Sequence, residues 1–160
     1  MIRRCADGDF AAIESVINEA AQAYRGVIPA DCRHEPYMTA SALKAEMDAE
    51  ITFWGWEDSG ALIGVMGIQQ VRDVTLIRHA YVRTAHQGRG IGAALLTFLA
   101  GQATGPLLVG TWAEAEWAIR FYQRHGFRLV SPAEKDKLLR TYWSIPLRQK
   151  ETSVVLVYTR

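Results

Sequence analysis

Cysteine is scarce. Cys5 and Cys32 are the only thiols, too few for a disulfide framework and spaced neither as a metal pair nor as a CxxC redox motif. A cytoplasmic protein is the expectation, with no metal. Charge of one sign is lacking too: 18 Lys and Arg stand against 17 Asp and Glu, a net charge of +1. No broad field draws in nucleic acid or an anionic membrane surface, so neither is expected as a partner. Long apolar runs are missing as well. None approaches the ~18 residues of a membrane span, and Met1 to Phe10 carries charges where a signal peptide has its apolar core. Proline is rare, at 5 residues, and no stretch is of low complexity or repeats, which excludes a tail or a solenoid. What remains is an ordinary globular balance, 49% hydrophobic and 22% charged over 160 residues, and one domain over 1–160 is expected.

Element signals alternate along the chain. Ile2 to Cys5 is a short strand candidate, and Asp7 is the expected cap of a helix whose Phe10, Ile13, Ile17, Ala20, Ala21 and Tyr24 recur at helical spacing. Gly26, Pro29 and Pro36 then break the pattern in a long loop, before Leu43 and Met47 mark a shorter helix. Ile51–Trp56, Ala61–Val71 and Val74–Val82 are β-rich and punctuated by turn residues, which predicts an antiparallel meander. A glycine-rich turn follows, then an apolar helical stripe of Ile91, Leu95, Phe98 and Leu99, then the run Leu107 to Val109. Strand, helix, strand is a crossover unit, so those two strands should be parallel. A helix over about Glu114 to His125 stops on Gly126 with Phe127 as its apolar clasp. Phe127 to Val130 and Val154 to Tyr158 read as strands, and Lys135 to Leu139 reads as helical.

The sharpest chemical signal is Gln87, Gly88, Arg89, Gly90, Ile91, Gly92, Ala93, set between the end of a strand and the start of a helix. Glycines admit a ligand close to the backbone, and the helix's first amides and its dipole favour negative charge. A Walker loop needs Gly-Lys-Ser/Thr here, and the chain has Gly-Ile-Gly-Ala. Gly88, Gly90 and Ala93 satisfy the dinucleotide fingerprint literally. Its context is wrong, because an antiparallel meander precedes the loop, Arg83 to Gln87 separate strand from glycine, and no acidic residue ends the next strand.

The remaining motif is Q/R-x-x-G-x-G/A, carried by Gln87, Gly90 and Gly92. With it the chain resembles the GNAT family of acetyl-CoA-dependent N-acetyltransferases. The element order is similar over nearly the whole chain, and Ala118, Phe121, Tyr122, Gly126 and Phe127 resemble the family's later A-x-x-F-Y-x-x-x-G-F segment. The resemblance implies an α/β (α+β) fold: a mixed, mostly antiparallel twisted sheet of about seven strands with about four helices and the crossover at the cofactor site. It implies acetyl-CoA as cosubstrate, its pyrophosphate on the amides of Gly88 to Ala93 (Gly88, Arg89, Gly90, Ile91, Gly92, Ala93) with Gln87 and Arg89 alongside, and its pantetheine arm paired to Tyr81, Val82 and Arg83. One departure is Ala115, where relatives often carry Asn seven residues before the tyrosine.

The implied reaction is acetyl transfer to a primary amine by direct attack on the thioester, the alternative being a non-catalytic acetyl-CoA sensor or interaction module. An alkyl ammonium of pKa ~10.4 costs about 4.6 kcal/mol to deprotonate at pH 7, so a base is sought. His79 is the candidate, because period-two alternation puts it on one strand face with Ile77 and Tyr81; a structural histidine in the sheet is the competing reading. Tyr122 is the resemblance's proton donor to the leaving thiolate, and a backbone amide near Val82 is the oxyanion donor. Tyr24, Arg25, Asp31, Glu35 and Tyr37 of the long loop are candidate acceptor contacts, as is Tyr142 of the connection between Val130 and Val154. A small-molecule amine and a peptide or protein amine stay open as acceptors, and so does a homodimer. His34, His86 and His125 read as solvated surface, and Trp54, Trp56, Trp112 and Trp117 as core anchors.

Overall fold

The structure is a computed structural model that describes residues 1–159. Its seven strands are β1 (Ile2–Arg4), β2 (Thr52–Asp58), β3 (Ala61–Val71), β4 (Val74–Val82), β5 (Leu107–Trp112), β6 (Phe127–Leu129) and β7 (Ser153–Tyr158). They form one sheet in the order β1-β2-β3-β4-β5-β7-β6. Every pairing is antiparallel except β4 with β5, the parallel pair that the crossover helix demands. The helices are α1 (Phe10–Ala20), α2 (Ala40–Asp48), α3 (Ile91–Gln102), α4 (Glu116–Arg124), α5 (Pro132–Tyr142) and α6 (Leu147–Glu151). That is six where about four were expected. The surplus lies in the connection from β6 to β7, where Ser131 Oγ accepts the Glu134 N–H at 3.2 Å and Pro132 occupies the first turn, so the helix starts three residues before Lys135.

Apolar side chains sort the helices onto two faces of the sheet. Leu95, Leu96 and Leu99 of α3 and Ala118 and Tyr122 of α4 pack against Ile63, Met66, Ile77 and Val109 on one face. On the other, Ile13, Val16 and Ile17 of α1 and Leu43 of α2 cover Phe53, Leu62 and Val65, while Leu139 and Trp143 at the end of α5 cover Leu76, Leu108 and Val155. Leu95 and Leu99 are fully buried, and truncating such a residue to alanine typically costs 2–5 kcal/mol. Gly126, at φ +90°, ends α4 in the left-handed turn its position suggested.

The cap expected at Asp7 is not there: residues 7–9 make a single 3-10 turn, Asp9 takes the N-cap position of α1 without a side-chain cap bond, and its carboxylate instead accepts the N–H of the preceding Ala6 at 2.7 Å. The same carboxylate takes two hydrogen bonds from the Arg3 guanidinium, at 2.8 and 2.9 Å, while Arg3 Nε reaches Glu57 at 2.9 Å. The Arg3 bonds, with Ala6 behind them, hold the Asp9 carboxyl down at about 2. A carboxyl depressed on folding adds stability in full above its unfolded pKa and loses it as pH falls toward the folded one. Asp9→Asn therefore lowers the thermal midpoint by a few degrees at pH 7, and the gap to the parent narrows between pH 4 and pH 2. Melting curves across that range check it; a pH-independent gap contradicts the ion pair.

Candidate functional site

Parallel pairing of β4 with β5 covers only Thr75–Leu107, Leu76–Leu108 and Ile77–Val109. Beyond Ile77 the two strands part, and each looks for other partners. β5 pairs on with β7 from Leu108 to Trp112, whereas β4 keeps β3 alone. At the parting β4 carries an irregularity: Arg78 faces Gly67 and Tyr81 faces Val65, so two residues, His79 and Ala80, stand opposite Met66. That is a bulge, with His79 at φ +52°.

The bulge overturns the strict alternation expected here. Ile77, Ala80 and Val82 pack with the α3 and α4 face, while Tyr81 packs on the opposite side. His79 goes with Tyr81 and not with Ile77: its ring stacks on Phe53 at 6.1 Å and 24°, and its Nε2 lies 3.5 Å from Glu46 Oε1 of α2. Further along, the Arg83 N–H donates to Ile63 O at 2.9 Å across the register pair Val82–Gly64. Val82 is thereby a non-hydrogen-bonded pair with β3 and turns its own N–H toward the gap. Its carbonyl is taken by Gln87 Nε2 at 3.0 Å, which ties the glycine loop to the strand end.

Two cavities occupy the gap. The larger, about 510 Å³, runs between β4, the N-terminus of α3 and α4. Of the cofactor candidates, Tyr81, Val82, Gln87, Gly88, Gly90, Ile91, Gly92 and Ala93 line it. Gly88 and Gly90 have φ near +80° and nothing within 4 Å of a Cβ placed on either, a cradle that side chains would fill. Arg89 and Arg83 are not among the lining residues. Arg83 is spent elsewhere, on Leu62 O at 3.2 Å and Ser15 Oγ at 3.1 Å. The smaller cavity, about 110 Å³, is lined by Tyr37, Arg78, His79, Gly110, Trp143 and Gln149 among others. Tyr24, Ala80, Tyr81 and Tyr122 line both, so they form the partition.

The partition tyrosines are neutral. Burial first, then the neighbouring Tyr24, raises Tyr122 well above the usual phenol range. Burial, with Tyr37 and Tyr24 adding to it, does the same to Tyr81, and burial pushes Tyr24 up to about 12. Such groups donate or accept hydrogen bonds but do not act as bases near neutrality.

Other candidates fall outside. Tyr142 donates to Asp73 Oδ1 at 2.8 Å and packs, half-buried, at the margin of the cluster that holds Leu139 and Trp143, away from both cavities. Glu35 pairs with Arg25 at 3.2 Å, and Asp31 with Arg148 at 2.9 Å, both exposed. None of these lines either cavity, and no Asp or Glu lines the smaller one. Conversely, His86 and His125, expected to be solvated, are half-buried and line the larger cavity, as does Trp117, which is 42% exposed and set against Tyr24 at 5.2 Å rather than in the core. Sequence carried a signal for that last one: Trp117 and Phe121 are four apart on α4 and share a side. Among the described residues no cluster of His, Cys, Asp and Glu could hold a metal ion, and no helix is long and apolar enough to cross a membrane.

The glycine loop at the parting of two parallel strands lies inside the segment, residues 49–129, that matches the acetyltransferase (GNAT) domain family. The chain belongs to the GNAT family. Among curated proteins it is 31% identical to the peptidyl-lysine N-acetyltransferase YiaC of Escherichia coli K12 over 90 residues, 56% of this chain and 59% of that protein, so it spans about three fifths of that relative's length. Among solved structures, PaiA N-acetyltransferase of Thermoplasma acidophilum in complex with coenzyme A superposes with a TM-score of 0.73 at 15% identity, over 100% of this chain and 98% of that one. The ribosomal-protein-S18-alanine N-acetyltransferase of Escherichia coli gives 0.71 at 15%, over 99% and 92%. At these identities the structures share the fold of this GNAT chain.

The loop conformation makes a test that needs no ligand. Gly90→Ala forces a side chain into φ +79° and costs about 1 kcal/mol of stability. Gly101→Ala, in the exposed last turn of α3 with open space around it, should gain roughly 0.5 kcal/mol instead. Denaturant unfolding of both variants reads the opposite signs; a destabilised Gly101→Ala or a neutral Gly90→Ala contradicts the geometry.

Proposed function

We propose that this GNAT protein moves the acetyl group of acetyl-CoA to a primary amine by direct attack of the amine on the thioester. The observation that carries the reading is the partition: one set of side chains, Tyr24, Ala80, Tyr81 and Tyr122, separates a cavity ending on helix amides from a second cavity open to another reactant. A sensor or interaction module needs the first cavity only.

Acetyl-CoA brings the activated acyl group and a thiolate leaving group. The residues present fit it: the N-terminal amides of α3 behind Gly88 and Gly90 suit a pyrophosphate, and the Val82 N–H faces the gap where a peptide-like arm can add to β4. The same N–H is the oxyanion donor in this reading. Tyr122 presents its O–H to the leaving sulfur. Full proton transfer from so weak an acid to a thiolate of pKa near 8.5 is uphill, so the phenol works by hydrogen bonding while charge develops, and water completes the protonation. His79 takes the acceptor's proton from the side of the smaller cavity. Arg78 and the tyrosines line that cavity without a carboxylate, so a cationic acceptor is not held there as an ion pair and enters more easily as the neutral amine. The curated relative's action on peptidyl lysine favours a peptide or protein amine as acceptor.

Free thiol release from acetyl-CoA across a panel of amines and lysine- and alanine-ended peptides tests the reading. At least one amine should accelerate release, and Tyr122→Phe should cut kcat 10-fold or more with the KM for acetyl-CoA little changed. Tight binding with no amine-dependent release would favour the sensor; a Tyr122→Phe variant of normal kcat would make Tyr122 a packing residue.

A further inference from the structure

Resting on the reading of His79 as base, we infer that Glu46 of α2 is its positioning residue, the two forming a carboxylate–imidazole dyad in which His79 lines the smaller cavity and Glu46 stands behind the ring, outside that cavity. Sequence pattern did not link them, because Glu46 is one of two acidic residues, with Asp48, on a short polar helix far from His79 in the chain. The bulge brings them together. By turning His79 away from Ile77's face, it sets the ring on Phe53 and aims Nε2 at Glu46 Oε1, 3.5 Å away.

The two ring nitrogens then have different surroundings. Nε2 is sealed from solvent and makes no hydrogen bond within reach, which is costly for an imidazole unless something nearby repays it. Nδ1 is the nitrogen left for the cavity that His79 lines. A carboxylate beside Nε2 selects the tautomer with hydrogen there, leaving the Nδ1 lone pair free to accept. Glu46 is fit to stay ionised. Burial pushes its carboxyl up, but His79 and Arg78 outweigh that and hold it below the usual carboxylate range. Its other oxygen lies 3.5 Å from Arg78 Nη2, and Arg78 is itself oriented by Nη1 donating to Gln69 Oε1 at 2.9 Å.

The proton account is short. Nδ1 gains the proton that leaves the acceptor nitrogen, the positive charge on the ring is met by Glu46 at Nε2, and the proton then passes to water through the open mouth of the cavity. No other bond changes at the dyad. Around the ring stand Glu46 from α2 and the neutral Phe53 from β2, Arg78 precedes it on β4 and reaches the same Glu46, and Tyr24, Tyr37 and Tyr81 line the cavity it shares. Of these Glu46 alone is an anion. Arg78 opposes protonation of the ring and cannot substitute.

Glu46→Gln keeps the shape and removes the charge. Its effect on His79 is read first without any reaction, by the ring nitrogen NMR shifts of His79 in the free protein, where the preference for hydrogen on Nε2 should be lost. The shorter Glu46→Asp should keep part of that preference. In parallel, the acid limb of kcat/KM should move to lower pH in Glu46→Gln, with a several-fold lower plateau and unchanged KM for acetyl-CoA, and His79→Ala should abolish that limb. An unchanged tautomer preference overturns the dyad whatever the activity. A lost preference with the limb of kcat/KM still in place overturns His79 as base, and the dyad's role with it, while leaving acetyl transfer standing.

Discussion

The candidate site of this fold depends on two parallel strands ceasing to pair. β4 and β5 share three residue pairs and then part after Ile77 and Val109, although each continues for several residues. Backbone groups along a parted edge demand partners, since a buried unpaired N–H costs as much as a lost hydrogen bond. β5 solves this by antiparallel pairing with β7. β4 solves it in part through Gln87, whose side chain closes on Val82 O, and leaves the Val82 N–H turned to the gap. A strand edge held open beside a helix N-terminus is a site for a ligand that is peptide-like at one end and anionic at the other.

Aromatic side chains wall the gap. Tyr24, Tyr81 and Tyr122 meet there, with Tyr24 and Tyr81 edge to face at 6.1 Å and Tyr37 beyond at 6.2 Å. They come from three different parts of the chain, so the partition depends on the packing of both sheet faces at once. The bulge at His79 and Ala80 has a second consequence. It rotates the strand by one residue, which delivers Ala80 and Val82 to the side of the larger cavity and hands His79 to α2. A non-glycine residue at φ +52° is a strained conformation, and its cost is of order 1 kcal/mol or more, sustained by the surrounding sheet.

Much of this was legible beforehand where a residue type leaves no choice. The glycines at positions 88, 90 and 126 take positive φ, the β3 and β4 limits follow their β-branched runs, and the crossover forces one parallel pair. What escaped has a common cause. Period-two reasoning cannot see a bulge, because the extra residue at 79–80 is answered by nothing in its own strand but by register against β3. Likewise Tyr142 and Glu35 looked suitable by type and neighbourhood, yet which side of α5 turns inward and which partner Glu35 finds are decided by tertiary packing. Nothing in the sequence around His86 and His125 marks them as a cavity wall, since a wall needs no spacing rule.

We propose that acetyl-CoA is held on the amides of Gly88 to Ala93 and along the free side of β4. Backbone amide shifts followed by NMR while acetyl-CoA is titrated into the protein test it most directly. The account predicts that the largest changes fall on Gly88 to Ala93 and on Val82, with NADH and ATP at equal concentration producing neither pattern. Changes confined to the β1–β2 side of the sheet, or an equal response to NADH, would contradict it.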